Sequence, residues 1–140
     1  MIEGVVISKL SPHEDRRGRL LELFRCDESD HLPLMAYVSI TLPTVTRGPH
    51  EHREQSDFFC FFDGEFQLRL WDSTGSCETH YVGKHNPCTV LVPPGVIHAY
   101  ENVGNEASWV LNLPDRLYAG FDRKEPVDEI RHEDTVSVYR

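Results

Sequence analysis

The sequence has no C-x-x-C spacing, no long apolar run and no surplus of basic residues. Lys and Arg number 14 against 23 Asp and Glu, and the net charge of −9 argues against a nucleic-acid partner, because such surfaces are basic. No apolar stretch reaches the length of a membrane span, and the N-terminus lacks a signal-peptide pattern. We therefore expect a cytoplasmic protein that binds neither nucleic acid nor membrane, with four reduced thiols: Cys26, Cys60, Cys77 and Cys88.

What the chain does contain is a series of short, β-prone segments separated by Gly and Pro turns. Residues 34–42 alternate, and this pattern predicts a strand on which Tyr37, Ser39 and Thr41 share a face. Many such segments at even spacing, with no helical period, predict an all-β, double-sheet jelly roll. At 140 residues, the chain is expected to form a single domain over residues 1–140, with the charged tail 115–134 packed over the barrel rim.

The most apolar segment is the Phe-rich run at residues 58–62. Residues 65–71 follow an Asp63-Gly64 turn and are predicted to pair back on this run as the second arm of a hairpin. Both faces of the run are apolar, so its outer face must be covered. Either the chain's own terminal segments cover it or a second subunit does, and we expect a homodimer.

Two spaced motifs contain the residues best suited to chemistry. The first is H-x-H, four residues, an acid, six residues and Gly, found at His50, His52, Asp57 and Gly64. The second is P-x-G, two residues, His, three residues and Asn, found at Pro93, Gly95, His98 and Asn102. This pair resembles the two motifs of the cupin superfamily, which implies a double-stranded β-helix. The chain departs from the pattern at Asp57, where Glu is commoner, and at Pro87, where a Gly usually opens the second motif.

The motif side chains allow two interpretations. Three imidazoles and one carboxylate, from His50, His52, His98 and Asp57, would suit a divalent metal and leave positions open for substrate. Alternatively, the same side chains form a metal-free hydrogen-bonded cluster in which Asp57 orients a histidine. Spacing alone does not separate these interpretations. The remaining histidines fall in polar segments and are expected to be solvated: His13, His31, His80, His85 and His132.

A second resemblance extends over nearly the whole chain. The segments D-R-R-G-R-L-L-E-L-F (15–24), R-G-P-H (47–50), V-P-P-G-V-I-H-A-Y (92–100) and D-E-I-R-H-E-D (128–134) resemble the RmlC-like 3,5-epimerases of dTDP-4-keto-6-deoxysugars. The R-G-x-H-x-H form is still closer to the related nucleotide-sugar 3,4-ketoisomerases. The resemblance implies an isomerase of polysaccharide biosynthesis that acts on a nucleotide-diphosphate sugar and requires no cofactor.

The same resemblance implies roles for particular residues. His50 matches the catalytic base, which an imidazole suits because its pKa lies near working pH. Asp134 is the expected partner that orients His50, with Asp128 as the second candidate. Arg17 and Arg47 match arginines that hold the diphosphate. Without the motif, either arginine would be read as a solvated surface charge.

Two departures bear on the chemistry. By this resemblance, Asp57 occupies the position of an enolate-stabilising Lys in the 3,5-epimerases. Asn112 occupies the position of the tyrosine that serves as their general acid. A bare carboxylate would repel an enolate. We expect His52 or Tyr118 to return the proton and three residues to bind substrate: Tyr37, Tyr100 and Asn112. A ketoisomerase or single-site epimerase fits these departures better than a double epimerase. A metal-dependent cupin enzyme and a non-catalytic sugar-binding cupin are the alternatives.

Overall fold

The computed structural model describes residues 1–134 and Tyr139, and in this part of the chain the regular elements are strands and two 3₁₀ turns. The 3₁₀ turns are Phe121–Arg123 and His132–Asp134. None of the described residues forms a helix long and apolar enough to cross a membrane. The strands are β1 (Val6–Lys9), β2 (His13–Asp15), β3 (Gly18–Leu20), β4 (Tyr37–Thr41), β5 (Thr46–Glu51), β6 (Asp57–Phe61), β7 (Glu65–Trp71), β8 (Cys77–Gly83), β9 (Cys88–Val92), β10 (Ile97–Asn102), β11 (Ser108–Asn112) and β12 (Ile130–Arg131).

Ten of these strands form two five-stranded antiparallel sheets. The first has the order β1-β9-β6-β11-β4 and the second the order β12-β5-β10-β7-β8, while β2 and β3 form a separate hairpin. The largest apolar cluster takes side chains from both sheets, including Phe59 and Phe61 of β6 and Phe66, Leu68 and Leu70 of β7. The core therefore lies between the sheets, as the alternation of β7 requires. The predicted all-β jelly roll is confirmed.

The pairing predicted around the Asp63-Gly64 turn is wrong. β6 pairs with β9 and β11, whereas β7 pairs with β8 and β10, so the turn carries the chain from one sheet to the other. Gly64 has φ of 61°, and a Cβ there would lie 2.1 Å from Ser108 Oγ. Asp63 Oδ2 accepts a hydrogen bond from the backbone N–H of Trp109 at 2.9 Å, which ties the corner to β11.

The chain itself covers the outer face of β6 at Phe58. The Phe58 ring stacks on His31 with a centroid distance of 5.4 Å, and Phe24 meets it edge-on at the same distance. His31 is buried and its Nε2 donates to the Leu113 carbonyl at 2.6 Å. The prediction of a solvated His31 is therefore wrong, because the ring fills the space above an apolar strand.

One end of the space between the sheets is polar, and β5 and β10 shape it. The two strands are antiparallel, with His50 opposite His98. They approach closely at Gly48, where a Cβ would lie 2.6 Å from the His98 carbonyl oxygen and φ is 100°. A side chain at Gly48 would separate β5 from β10, and the two histidines would no longer be neighbours.

Candidate active site

The polar end of the barrel holds a cavity of about 410 Å³. His50 and His52 are two residues apart near the end of β5, so both project into it. Asp57 enters from the first residue of β6, in the opposite sheet. Among the residues that line the cavity are Tyr37, Ser39, Arg47, His98, Tyr100 and Glu129. The predicted convergence of three imidazoles and one carboxyl group in one cavity is therefore what the fold produces.

Asp57 is the buried centre of a hydrogen-bonded cluster. Its Oδ2 lies 3.1 Å from His52 Nε2 and 3.3 Å from His98 Nε2. Its Oδ1 accepts from Gln55 Nε2 at 2.8 Å and from Asn112 Nδ2 at 2.9 Å. Burial alone would raise the pKa of this carboxyl group, but the bonds from the two histidines outweigh burial and lower its pKa. Asp57 is thus an ionised group whose charge is balanced within the cluster.

His52 is held between two oxygen acceptors. Its Nε2 faces the Asp57 carboxylate and its Nδ1 faces the backbone carbonyl of Asp128. Burial disfavours the charged ring, but the hydrogen bond and charge of Asp57 outweigh this effect and raise the pKa of His52 to about 9. A ring that donates from both nitrogens has no lone pair for a substrate proton. His52 is therefore poorly suited to act as a base.

His50 has different surroundings from His52. Its Nδ1 lies 3.5 Å from Glu129 Oε1, and its Nε2 lies 2.6 Å from Glu133 Oε1. The Glu133 oxygen is out of line with the N–H direction, so among the described residues this nitrogen has no well-formed hydrogen bond. Burial is the main influence and lowers the pKa of His50, although both glutamates act in the opposite direction. A neutral imidazole in the cavity can accept a proton.

The structure does not bring the predicted partners to His50. Asp134 is 64% exposed, and its Oδ2 lies 3.3 Å from Arg131 Nε. Asp128 uses its carboxylate to accept the backbone N–H groups of residues 53, 54 and 55. In the closing D-E-I-R-H-E-D motif, strand β12 is followed by a 3₁₀ turn, and this turn directs Glu133 rather than Asp134 toward His50.

Only part of the proposed metal-ligand set comes together. The ligand atoms of His52, Asp57 and His98 lie within 4.8 Å of one another, and His50 is outside this group. Two imidazole nitrogens and one carboxylate oxygen match the donors that divalent Zn, Fe or Ni accepts. In the present arrangement, however, both histidines already use these nitrogens on the Asp57 carboxylate. The four-residue set is therefore wrong in its geometry, and a three-residue set is compatible with an ion.

Comparison with known proteins identifies the family. A model of the polysaccharide biosynthesis C-terminal domain matches residues 13–126. The chain belongs to this family. The probable low-salt glycan biosynthesis epimerase Agl13 of Haloferax volcanii is 32% identical over 137 residues, which cover 91% of this chain and 86% of Agl13. The spore coat polysaccharide biosynthesis protein SpsL of Bacillus subtilis is 36% identical over 126 residues, which cover 84% of this chain and 83% of SpsL.

A solved structure confirms the cupin fold of this polysaccharide biosynthesis domain. QdtA, a sugar 3,4-ketoisomerase from Thermoanaerobacterium thermosaccharolyticum solved in complex with TDP, superposes with a TM-score of 0.76. The match covers 96% of this chain and 92% of QdtA at 19% sequence identity. At that sequence identity the structural similarity shows a shared fold only. The roles of individual residues are inferred from the geometry described above.

The predicted substrate-binding residues fall into two groups in this family member. Tyr37 and Tyr100 line the cavity, and burial raises the pKa of both hydroxyl groups. The Tyr100 hydroxyl group hydrogen-bonds Ser39 Oγ at 2.8 Å. Asn112 does not line the cavity, and its predicted contact with substrate is wrong. Its amide is buried behind the cavity, where it donates to the Tyr37 hydroxyl oxygen at 2.8 Å.

The predicted arginines and Tyr118 occupy three different positions. Arg47 lines the cavity and donates to Thr41 Oγ1 at 2.8 Å and to the Ile40 carbonyl at 3.0 Å. Arg17 lies on the β2–β3 turn, 83% exposed, with its guanidinium 2.6 Å from Asp15. Tyr118 is 55% exposed in a neighbouring groove of about 430 Å³, which shares Tyr37 with the cavity.

Several residues in or next to the cavity were not predicted from the sequence. Glu129 and Glu133 approach the two nitrogens of His50, Gln55 bonds Asp57, and Ser39 bonds Tyr100. The closing motif was a usable signal for the two glutamates, because it contains four acidic residues within seven positions. Spacing alone does not identify which of these acids reaches the cavity, since the answer depends on how β12 pairs with β5.

Proposed function

We propose that the protein is a nucleotide-sugar isomerase or epimerase of polysaccharide biosynthesis that acts on a dTDP-4-keto-6-deoxyhexose. The observation that carries the proposal is the placement of His50, whose pKa is lowered, in a cavity beside two glutamates and apart from the charge-balanced Asp57 cluster. The kinship with Agl13, named a probable glycan biosynthesis epimerase, and the fold shared with QdtA support it. The protein requires no cofactor in this proposal.

The chemistry begins with removal of a proton next to the C4 ketone. His50 takes the C3 proton, and the electron pair of the broken C–H bond forms a C3–C4 double bond with negative charge on O4. Return of a proton to the opposite face of C3 gives an epimer. Return of a proton to C4, with transfer of the O3 proton to O4, moves the ketone to C3. Both outcomes conserve atoms and electrons and need no oxidant.

Tyr37 is the residue best placed to return the proton. Its hydroxyl oxygen accepts from Asn112 Nδ2, and within the described part of the chain no acceptor engages the hydroxyl hydrogen. Burial raises the pKa of Tyr37, so the phenol remains protonated near neutral pH. Tyr37 takes this role in place of His52, whose two nitrogens already face acceptors, and in place of the more exposed Tyr118.

Asp57 does not confront the developing enolate as a free carboxylate. Two imidazoles and two side-chain amides surround its oxygens, so the negative charge is compensated where it lies. The repulsion expected from replacing a Lys by Asp57 is therefore strongly reduced. Arg47 supplies positive charge at the cavity for the diphosphate.

Product analysis tests the proposal. Purified protein is incubated with dTDP-4-keto-6-deoxyglucose, and the sugar is followed by ¹H NMR. We expect either the 3-keto isomer or an epimer at C3, with His50→Asn as the inactive comparison. Binding of the nucleotide sugar with thermal stabilisation but without turnover would instead identify the non-catalytic sugar-binding alternative.

A metal-dependent reaction is the second candidate, and the grouping of His52, Asp57 and His98 favours it. When bound there, a divalent ion would supply Lewis-acid chemistry at the carbonyl. Elemental analysis of the purified protein separates the two candidates. Stoichiometric metal that is lost in Asp57→Ala would favour the metal-dependent enzyme, whereas full turnover after chelation would favour the metal-free one.

A cytoplasmic homodimer of single-domain chains completes the proposal. The β2–β3 hairpin is exposed at all six strand residues, and an isolated two-stranded hairpin is marginally stable alone. Val38 and Ile40 are exposed on β4, an edge strand, next to exposed Trp109 on β11. Light scattering should give a dimer for wild type and a monomer for Ile40→Glu.

The four unpaired thiols agree with a reducing compartment.

A further inference from the structure

The segment Asp128–Asp134 lies along β5 and the loop that follows it, and it is fixed at two places, one on that loop and one on β5. We name this segment the C-terminal strap. At its first residue, Asp128 Oδ1 accepts the backbone N–H of Arg53 at 2.9 Å, and Oδ2 accepts those of Glu54 and Gln55 at 2.9 Å each. Three charge-assisted bonds from consecutive N–H groups fix this end of the strap firmly.

The second fixed point lies beyond β12. Ile130 pairs with Glu51 and Arg131 with His50, which makes β12 a strand of only two residues. His132 Nε2 lies 3.0 Å from Glu51 Oε2, and its ring meets Tyr139 edge-on at 5.0 Å. Glu51 is the central residue of the H-x-H motif, and its side chain points away from the two histidines because side chains alternate along a strand.

The two glutamates that approach His50 lie between these fixed points or next to them. Glu129 follows Asp128 directly, and Glu133 follows His132 directly. Their carboxylates approach the two different nitrogens of the His50 ring. A two-residue strand is too short to hold both glutamates in position without further contacts. The contacts that fix the strap are therefore the ones that can keep both carboxylates beside His50.

We propose that Asp128 and Glu51 are positioning residues, which clamp the C-terminal strap so that the carboxylates of Glu129 and Glu133 stay beside the two nitrogens of the His50 ring. This inference rests on the proposed function for its link to catalysis. Neither clamp residue lines the cavity, and both act through the glutamates. In this proposal Glu51 fixes the strap, whereas its neighbours His50 and His52 line the cavity.

Kinetics of clamp variants test the catalytic part. Asp128→Ala and Glu51→Ala should each lower kcat about 10- to 100-fold with KM little changed, because misplacement of a reacting group affects mainly the chemical step. Glu51→Gln, which keeps an acceptor for His132, should restore most of kcat. In a Glu133→Gln background, Glu51→Ala should lower kcat less than twofold. Equal losses in both backgrounds would overturn the proposal.

Hydrogen exchange tests the clamp without any substrate. Peptides covering residues 128–134 should exchange faster in Asp128→Ala and Glu51→Ala than in wild type, while peptides from β7 stay unchanged. Glu54→Gln is the matched control and should exchange like wild type, since among the described residues its exposed side chain pairs only with Arg116, at 3.3 Å. Unchanged exchange in both alanine variants would overturn the clamp. Failure of the wild type to turn over nucleotide sugars would instead overturn the proposed function and leave this result standing.

Discussion

Asn112 donates from one side-chain nitrogen to two partners, the Tyr37 hydroxyl oxygen at 2.8 Å and the Asp57 carboxylate at 2.9 Å. Its side-chain oxygen accepts the backbone N–H of Phe58 at 2.9 Å, so the amide is fully engaged. The buried carboxylate and the cavity tyrosine are thus held by one residue.

Removing the Asn112 amide should cost stability. Asn112→Ala leaves Asp57 Oδ1 with one bond fewer and the Phe58 N–H without its acceptor, in a fully buried place. We expect the free energy of unfolding to fall by about 2–4 kcal/mol. Urea denaturation, monitored by fluorescence, measures this free energy for wild type and variant. A change below about 0.5 kcal/mol would show that water or a rearranged partner satisfies both groups.

Removing the Tyr37 hydroxyl group should instead cost activity. Tyr37→Phe keeps the ring but loses the proton donor, and we expect kcat to fall about 100-fold or more, the scale of general acid catalysis. Stability should change little, since Asn112 Nδ2 retains Asp57. Steady-state kinetics with the nucleotide sugar provide the measurement, and Tyr118→Phe is the comparison. Wild-type kcat in Tyr37→Phe would refute the assignment.

Two neighbouring acids should behave differently. Glu133→Gln removes the carboxylate nearest His50 Nε2 and should lower kcat about 10- to 100-fold. Asp134→Asn changes an exposed acid paired with Arg131 and should stay within about twofold of wild type. Steady-state measurement of kcat for both variants under the same conditions shows which of the two acids supports His50. A larger loss of kcat in Asp134→Asn than in Glu133→Gln would instead support the predicted pairing of Asp134 with His50.

The charge on His52 should make stability depend on pH. Its pKa is raised to about 9 in the folded protein, from 6.5 in the unfolded chain. The charged ring therefore stabilises the fold fully below pH 6.5, and this contribution is lost as pH rises through about 9. We expect a loss on the order of 1–3 kcal/mol over that window.

Denaturant unfolding at several pH values between 6 and 10 measures this slope. Asp57→Asn is the control, because it removes the carboxylate that raises the pKa of His52. Its stability should depend much less on pH over the same window, even if the variant is less stable throughout. Identical slopes in both proteins would show that another group titrates there.

The strand pattern and the shared face of His50 and His52 were accessible from the sequence because both follow from periodicity two. The position of His98 near them was implied by the resemblance to the paired cupin motifs. The pairing of β6 and β7 was not accessible. An Asp-Gly pair suits a hairpin and a corner between sheets equally well, and only packing against β9 and β11 decides.

The acids of the closing motif show a similar limit. A 3₁₀ turn rotates successive side chains by about 120°, so a shift of one residue exchanges a cavity side chain for an exposed one. Glu133 and Asp134 cannot be distinguished without knowing where β12 ends. The family resemblance predicts a substrate contact for Asn112, whereas in the fold Asn112 supports Tyr37 from behind.

The role of His50 as the base can be measured directly by isotope exchange. Wild-type protein and His50→Asn are incubated with dTDP-4-keto-6-deoxyglucose in D₂O, with a protein-free sample as background, and deuterium at each sugar carbon is read by NMR and mass spectrometry. The account predicts, with wild type, deuterium at C3 of an epimer or at C4 of the 3-keto isomer, and only background exchange with His50→Asn. No exchange with wild type, or equal exchange with both proteins, would contradict it.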